Sequence, residues 1–269
     1  MKSLIGKLTN ILIIFLICVM ICPIILTGCA SKNDLIVILH AGGEDDGLTY
    51  LNAQETFSKY YAMGYRYFEY DFQLSNDGRL IGTHSWDYLD VISLDISYQE
   101  FKELKLSNGF TPVNEEWLID TICNYPDVRF VIDANMPSTE DDVLVLQRIE
   151  EVGKINNVDL SKNIIPEIFS VEMWDIAKVT TTFDKYFFSK YKVPYTFDYV
   201  LNTFDDSRIW GIALSTEVDD SFLNNLDKFK NAGKQVLFFT AETSDEVKKL
   251  KDYGATGVYV DNPSIIKNA

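Results

Sequence analysis

The chain holds only two histidines, His40 and His84. Glu69 and Asp71 stand two residues apart in the run YFEYDFQL, and Asp133 closes the run RFVID. A strand sends alternate side chains to one face, so Glu69 and Asp71 point the same way. Three acids held close together repel unless a cation neutralises them or one stays protonated. An all-oxygen ligand set suits magnesium, calcium or manganese rather than zinc. Imidazole titrates near neutrality, so one histidine can accept a proton while another donates one. Together these groups suit in-line displacement at phosphorus. A hard cation holds a phosphoryl oxygen, one histidine activates the nucleophile, and the other protonates the leaving alkoxide. Each residue also has a plainer reading, Glu69 as a solvated strand residue and Asp133 as a turn or cap. Their joint position at matched strand ends argues against the plain readings.

The elements that would position them follow from periodicity. Apolar runs at 35–39, 67–71, 79–83, 129–133, 164–169, 186–189, 209–214, 235–239 and 257–260 read as strands, with helical patterns between most of them. Alternation of this kind predicts a parallel sheet with crossover helices. Nine strands is one too many for a barrel. Asn76-Asp77-Gly78, between two apolar runs, is a hairpin turn, and a hairpin strand is antiparallel. Removing 79–83 leaves eight, which predicts a (β/α)8 TIM barrel with a β-hairpin excursion after the second strand. Sites in such barrels form at the C-terminal strand ends, where His40, Glu69, Asp71 and Asp133 all fall. A turn centred between Asn76 and Asp77 brings His84 opposite Glu69. Asn52 is expected to N-cap a helix over 52–63, with Glu55 three residues on. Glu167 ends a strand facing the same rim and is a candidate substrate contact, Trp86 a candidate for the pocket mouth. Asp261 is expected to cap the last helix, and Cys123 to be a small buried hydrophobe.

At 269 residues and 47% hydrophobic, the chain can bury one barrel-sized core. Its net charge of −16 disfavours nucleic acid as a partner and leaves an anionic substrate in need of local help, such as a metal. Lys2 and Lys7 precede the apolar run 11–26, then Leu26-Thr27-Gly28-Cys29. A basic n-region, apolar h-region and small residues before a cleavage point make a secretory signal over 1–28. Cys29 resembles the lipidated cysteine of the bacterial lipoprotein box, with 29–34 as a tether and 35–269 as the domain. The expected location is extracytoplasmic, anchored to the cell membrane by that lipid. An uncleaved membrane anchor is the plainer alternative. Only Cys123 is left in the domain, so no disulfide framework is expected.

HAGG at 40–43, E-x-D at 69–71, the S-N-D-G turn and T-H-S at 83–85 resemble the glycerophosphodiester phosphodiesterases, in their H-A-G-G branch. IIPEIF and GATGVYVDNP follow in the family's order, so the resemblance runs from about Leu35 to Pro263. It implies a barrel, a divalent cation (magnesium or calcium), and His40 and His84 as the catalytic pair. It also implies Glu69, Asp71 and Asp133 as metal ligands. The family's pattern has Arg where this chain has Ala41, Lys where it has Asn135, Asp where it has Ser85, and an acid near Asn52. Asn52, Asn135 and Glu167 are therefore the candidate substrate-binding positions.

The expected activity is metal-dependent hydrolysis of glycerophosphodiesters, or of related phosphodiesters in phospholipid head groups or wall polymers. Two cationic phosphate contacts are missing at Ala41 and Asn135, and Arg clamps phosphate in a way that Ala cannot. A second reading is therefore a weak or inactive relative that binds a phospho-glycolipid or wall polymer. A third is a glycosidase with paired carboxylates, which would need neither histidine.

Overall fold

The computed structural model describes residues 35–86, 95–134, 136–190, 195–203, 206–218 and 220–269. The proposed signal, Cys29 and Asn135 lie outside the described residues. The strands are β1 (Ile36–Leu39), β2 (Tyr67–Leu74), β3 (Leu80–Gly82), β4 (Arg129–Ala134), β5 (Ile164–Ile168), β6 (Tyr186–Ser189), β7 (Ile209–Ser215), β8 (Gln235–Phe239) and β9 (Gly257–Val260). All except β3 pair in parallel, and β1 bonds to both β2 and β9. The sheet is thus a closed eight-strand barrel with helices between strands, a (β/α)8 TIM barrel. The short strand β3 pairs antiparallel with the upper end of β2.

Local chemistry explains the segmentation. Asn114, Ser138, Ser170 and Thr243 each accept the backbone N–H three residues on and so start a helix. Ser97 and Glu100 form a reciprocal capping box at the helix Tyr98–Glu103. The span 220–232, expected as one helix, is instead two, Asp220–Leu223 and Leu226–Asn231. Asn224 and Asn225 fall at the break, and asparagine side chains compete with the helical backbone. Cys123 is exposed rather than buried. The helix Glu115–Asn124 turns Leu118, Ile119 and Ile122 inward and leaves Cys123 on the outer face.

Two apolar layers hold the barrel. Outside the sheet, residues such as Phe57, Phe130, Leu146 and Trp174 pack helices onto strands. Inside, Ile38, Val131, Ile165, Phe187, Ala213, Leu237 and Tyr259 fill the lumen. Above this inner layer, at the C-terminal strand ends, lies a cavity lined by His40, Glu69, Asp71 and Asp133.

The hairpin register differs by one residue from the sequence expectation. Phe72 pairs with Gly82 and Leu74 with Leu80, so His84 does not stand opposite Glu69. The turn has three residues, with Gly78 in the left-handed region at φ +75° and its N–H bonded to Ser75. The last backbone bond of the pair runs from the Thr83 N–H to the Asp71 carbonyl, and His84 follows directly. Glu115 anchors this excursion. It is buried, accepts bonds from Arg79, Arg148 and the Leu80 N–H, and so ties β3 to the helices Glu115–Asn124 and Thr139–Asn156.

Burial pushes the Glu115 carboxyl up, but the bonds from Arg148, Leu80 and Arg79 outweigh it, and its pKa lies below the ordinary glutamate value. A depressed folded value contributes stability above the unfolded-state pKa, and that stability is lost as pH falls through the folded value. Glu115→Gln is expected to cost about 2 kcal/mol at neutral pH, since it strips a charge from two arginines that remain partly buried. Urea unfolding as a function of pH checks this. The gap between wild type and variant should close in acid, and a gap that stays constant from neutrality to strong acid contradicts the assignment.

Candidate active site

The register of β2 against β4 builds the centre of the site. Asp71 and Asp133 are direct partners across the parallel pair, and Glu69 lies one step below, opposite Val131. Val131 belongs to the lumen layer, so Glu69, Asp71 and Asp133 share the inward face by alternation. Together with His40, His84, Glu167, Tyr50 and Tyr259 they line a cavity of about 150 Å³. Phe169, Phe239, Thr240 and Ser189 complete its wall.

Glu69, Asp71 and Glu167 each have a fixed support. Glu69 accepts from the Ala41 N–H at 2.7 Å. Ala41 has φ +45° inside the tight turn 40–42, which aims its N–H at β2. Gly42 and Gly43 follow at φ +80° and +89°. A Cβ on Gly42 would lie 2.7 Å from the Tyr70 ring, so the double glycine lets the turn approach β2 closely. Asn52 grips Asp71 twice, accepting from its N–H at 2.9 Å and donating to Oδ2 at 2.9 Å. Tyr259 donates to Glu167 at 2.5 Å.

Burial, then the charges of Asp71 and Asp133, push the Glu69 carboxyl well above its ordinary value, and the Ala41 N–H opposes them. Burial also raises Glu167, against the Tyr259 and Ser189 hydroxyls and the nearby His40. The Tyr259 phenol is held well above its ordinary value by burial and by Glu167.

His40 follows β1 and bonds through Nδ1 to Asp261 Oδ1 at 2.7 Å. A carboxylate only accepts, so Nδ1 carries the proton and, in the neutral ring, Nε2 keeps the lone pair. Asp261 therefore orients His40 and does not cap the last helix. Asn262 takes the cap by accepting from the Ser264 N–H. His84 is exposed on the opposite side of the cavity mouth, with the Tyr50 ring between it and His40.

Five of the residues singled out from sequence, His40, His84, Glu69, Asp71 and Asp133, meet in one cavity, and Glu167 joins them. Asn52 does not line it. It is fully buried at φ +47°, and the following helix Gln54–Ala62 begins after Ala53 without a side-chain cap. Its partner in the expected capping box, Glu55, instead binds Thr111. Trp86 packs against the satellite cluster around Leu51 and Ile81, away from the cavity lining. Sequence reasoning missed Tyr50, Ser189, Phe239, Thr240 and the orienting role of Asp261. The signal for Asp261 was present, because an acid directly after a barrel strand also marked Asp133.

The donor set fits a hard divalent cation. Every carboxylate offers oxygen, and the strain of crowding falls on Glu69, which a cation would hold ionised. Among the described residues, no group of three or more Asp, Glu, His or Cys side chains stands close enough together to hold a metal ion as it is.

The closed barrel and its acid- and histidine-lined upper end place the chain among the barrel hydrolases. It belongs to the glycerophosphoryl diester phosphodiesterase family, matching it over residues 47–265. It is thereby a phosphoric diester hydrolase of that type, in a family that is generally dependent on divalent metal. A comparison with curated proteins finds no match. Solved structures share the fold. A phosphodiesterase from Oleispira antarctica, in complex with the product sn-glycerol-3-phosphate, is 20% identical over 88% of this chain and 96% of its own, with TM-score 0.71. A glycerophosphodiester phosphodiesterase from Thermotoga maritima is 20% identical over 86% and 96%, with TM-score 0.60. One from Parabacteroides distasonis is 16% identical over 87% and 95%, with TM-score 0.67.

Asn52→Ala should remove both supports of Asp71 and put a poorly suited residue in the left-handed region, costing about 2–4 kcal/mol. Chemical denaturation measures this. A loss below about 0.5 kcal/mol, the size of an ordinary surface substitution, would show that Asn52 does not brace Asp71.

Proposed function

We propose that the chain hydrolyses glycerophosphodiesters by a metal-assisted mechanism with His40 as general base and His84 as general acid. The observation that carries this is the 2.7 Å bond between His40 Nδ1 and Asp261 Oδ1. Asp261 holds the proton on Nδ1, so Nε2 presents a basic lone pair. As the attacking oxygen bonds to phosphorus, Nε2 takes its proton. The bond from phosphorus to the leaving oxygen then breaks, and exposed His84 donates a proton to the departing alcohol. Asp261 stabilises the imidazolium that forms on His40.

Glu69, Asp71 and Asp133 would hold the divalent cation, magnesium or calcium, which when bound supplies charge stabilisation to the phosphoryl oxygens. Glu167, fixed by Tyr259, is suited to a substrate hydroxyl at the cavity wall. Asn135 remains a candidate for the same role, and phospholipid head-group and wall-polymer diesters belong to the same substrate chemistry. We also propose lipidation at Cys29 and tethering to the outer side of the cell membrane, on the strength of the apolar run 11–26 and the Leu-Thr-Gly-Cys sequence. Among the described residues, no helix is long and apolar enough to cross a membrane.

Assay of the full chain on a diester panel, with and without chelator, is expected to show turnover that chelator abolishes and magnesium or calcium restores. His84→Ala should lower kcat about 10²–10⁴-fold. Turnover indifferent to both treatments would sink the mechanism. Binding without turnover by the metal-replete protein would favour the non-catalytic reading that the missing Arg and Lys suggest. Cys29→Ser should move the protein from the membrane fraction to the soluble one. Continued membrane association would overturn lipid tethering.

A further inference from the structure

The seam where the last barrel strand meets the first carries His40. The final register pair of β1 and β9 is Leu39–Val260, so His40 and Asp261 come next on either side, and their side chains bond at 2.7 Å. Beyond them the two chains are stitched twice more. The Glu44 N–H donates to the Asp261 carbonyl at 2.9 Å. The Asn262 amide donates to Glu44 Oε1 at 2.5 Å. We infer that Glu44 and Asn262 form a clasp across this seam that positions Asp261, and through it the imidazole of His40. Both are positioning residues, since neither lines the cavity. This inference rests on the reading of His40 as general base and deepens it.

The side chain of Asn262 does two things at once. Its Oδ1 accepts from the Ser264 N–H at 2.9 Å and caps the helix Pro263–Asn268, while its Nδ2 donates to Glu44. A backbone N–H only donates and a carboxylate only accepts, so the two partners fix which way the amide points. One amide therefore joins the start of the last helix to the loop after β1. Aspartate could make the same cap, but it would set a second carboxylate against Glu44.

The Glu44 side of the clasp is itself braced. Its carbonyl accepts from the Tyr60 hydroxyl at 2.8 Å and from Lys59 Nζ at 3.4 Å, which ties it to the helix Gln54–Ala62. The Gly43 N–H closes the turn onto the His40 carbonyl at 2.8 Å. The loop 40–44 thus starts at the histidine and ends at the residue that grips both Asp261 and Asn262. Opening the clasp loosens the Asp261 main chain relative to His40. A misplacement of about 1 Å can cost about 10²-fold in rate.

The test breaks the bond from each end in the full chain. Glu44→Ala removes the acceptor and leaves the helix cap alone. Asn262→Asp keeps a capping side chain and turns the donor into a carboxylate facing Glu44. Glu44→Gln keeps an acceptor oxygen and is the conservative control. With only two histidines in the chain, ¹⁵N correlations of the imidazole nitrogens read each ring separately, without metal or substrate, at a pH where the rings are neutral. His84→Ala assigns the signals. The unaltered chain and Glu44→Gln are expected to hold His40 in the Nδ1–H tautomer. Glu44→Ala and Asn262→Asp should each show a mixture, because a ring released from its acceptor carries the proton on either nitrogen. In turnover, each of these two should lower kcat about 10-fold with KM changed less than about threefold. The double variant should fall no more than about twofold below the worse single one, and Glu44→Gln should stay within about twofold of the unaltered chain. If Asn262→Asp does not fold, Glu44→Ala carries the same test alone. A pure Nδ1–H tautomer in Glu44→Ala, a loss confined to KM, additive losses in the double variant, or Glu44→Gln as damaging as Glu44→Ala would each overturn the inference. If the unaltered protein turns over no diester, the hydrolytic reading fails, and the tautomer populations still decide whether the clasp holds Asp261 against His40.

Discussion

Crowding of carboxylates is the constraint on which the rest of this structure depends. Four of them, Glu69, Asp71, Asp133 and Glu167, line one small cavity at the end of a closed barrel. Closure leaves them nowhere to spread. β2 and β4 pair in register and set Asp71 beside Asp133, while alternation sets Glu69 one layer below. Glu69 is buried beside two of these acids, and its carboxyl is pushed well up by burial and by its neighbours. Much of the surrounding polar structure answers this load. The Ala41 N–H serves Glu69, Asn52 serves Asp71, and the Tyr259 hydroxyl serves Glu167. These donors come from three separate parts of the chain, so the site can form only when the barrel closes.

The fold was legible because strand periodicity and hairpin chemistry act locally. The Asn-Asp-Gly turn is the clearest case, since it identified the one strand that could not belong to a parallel barrel. The same turn also produced the error in register. Whether a loop has two residues or three depends on which residue takes the left-handed conformation, and here Gly78 takes it at the third position. A shift of one residue then changes every partner along the pair. His84 still lines the cavity, directly after Thr83, whose N–H is bonded to the Asp71 carbonyl.

Within the site, residue types that do chemistry at strand ends were readable, and residues that act on other residues were not. Asn52 is the clearest example. An asparagine before an apolar helical pattern has the signature of an N-cap, and Glu55 three residues later strengthens it. The structure spends Asn52 on Asp71 instead, across a contact between positions 19 residues apart, and starts the helix two residues later without a side-chain cap. Nothing local in the sequence distinguishes these uses. Tyr50 was hidden for a similar reason. Its place in the cavity wall comes from φ and from its neighbours in space, neither of which follows from being a tyrosine in a polar loop.

Ala41 shows how a departure from the family pattern can keep part of a position's work. The side chain is a methyl group, buried and too short to reach a phosphate. The main chain is another matter. At φ +45° the Ala41 N–H points to Glu69 and forms a 2.7 Å bond to its carboxylate. What the turn 40–42 needs from this residue is a tolerable left-handed conformation next to two glycines, and a small side chain meets that need with little added strain. The position therefore still supports a carboxylate even though it no longer offers a cation. Charge balance at the phosphate must then come from groups other than this side chain. Among the described residues that line the cavity, those able to carry positive charge for that task are the histidine pair, beside whatever cation the carboxylates bind.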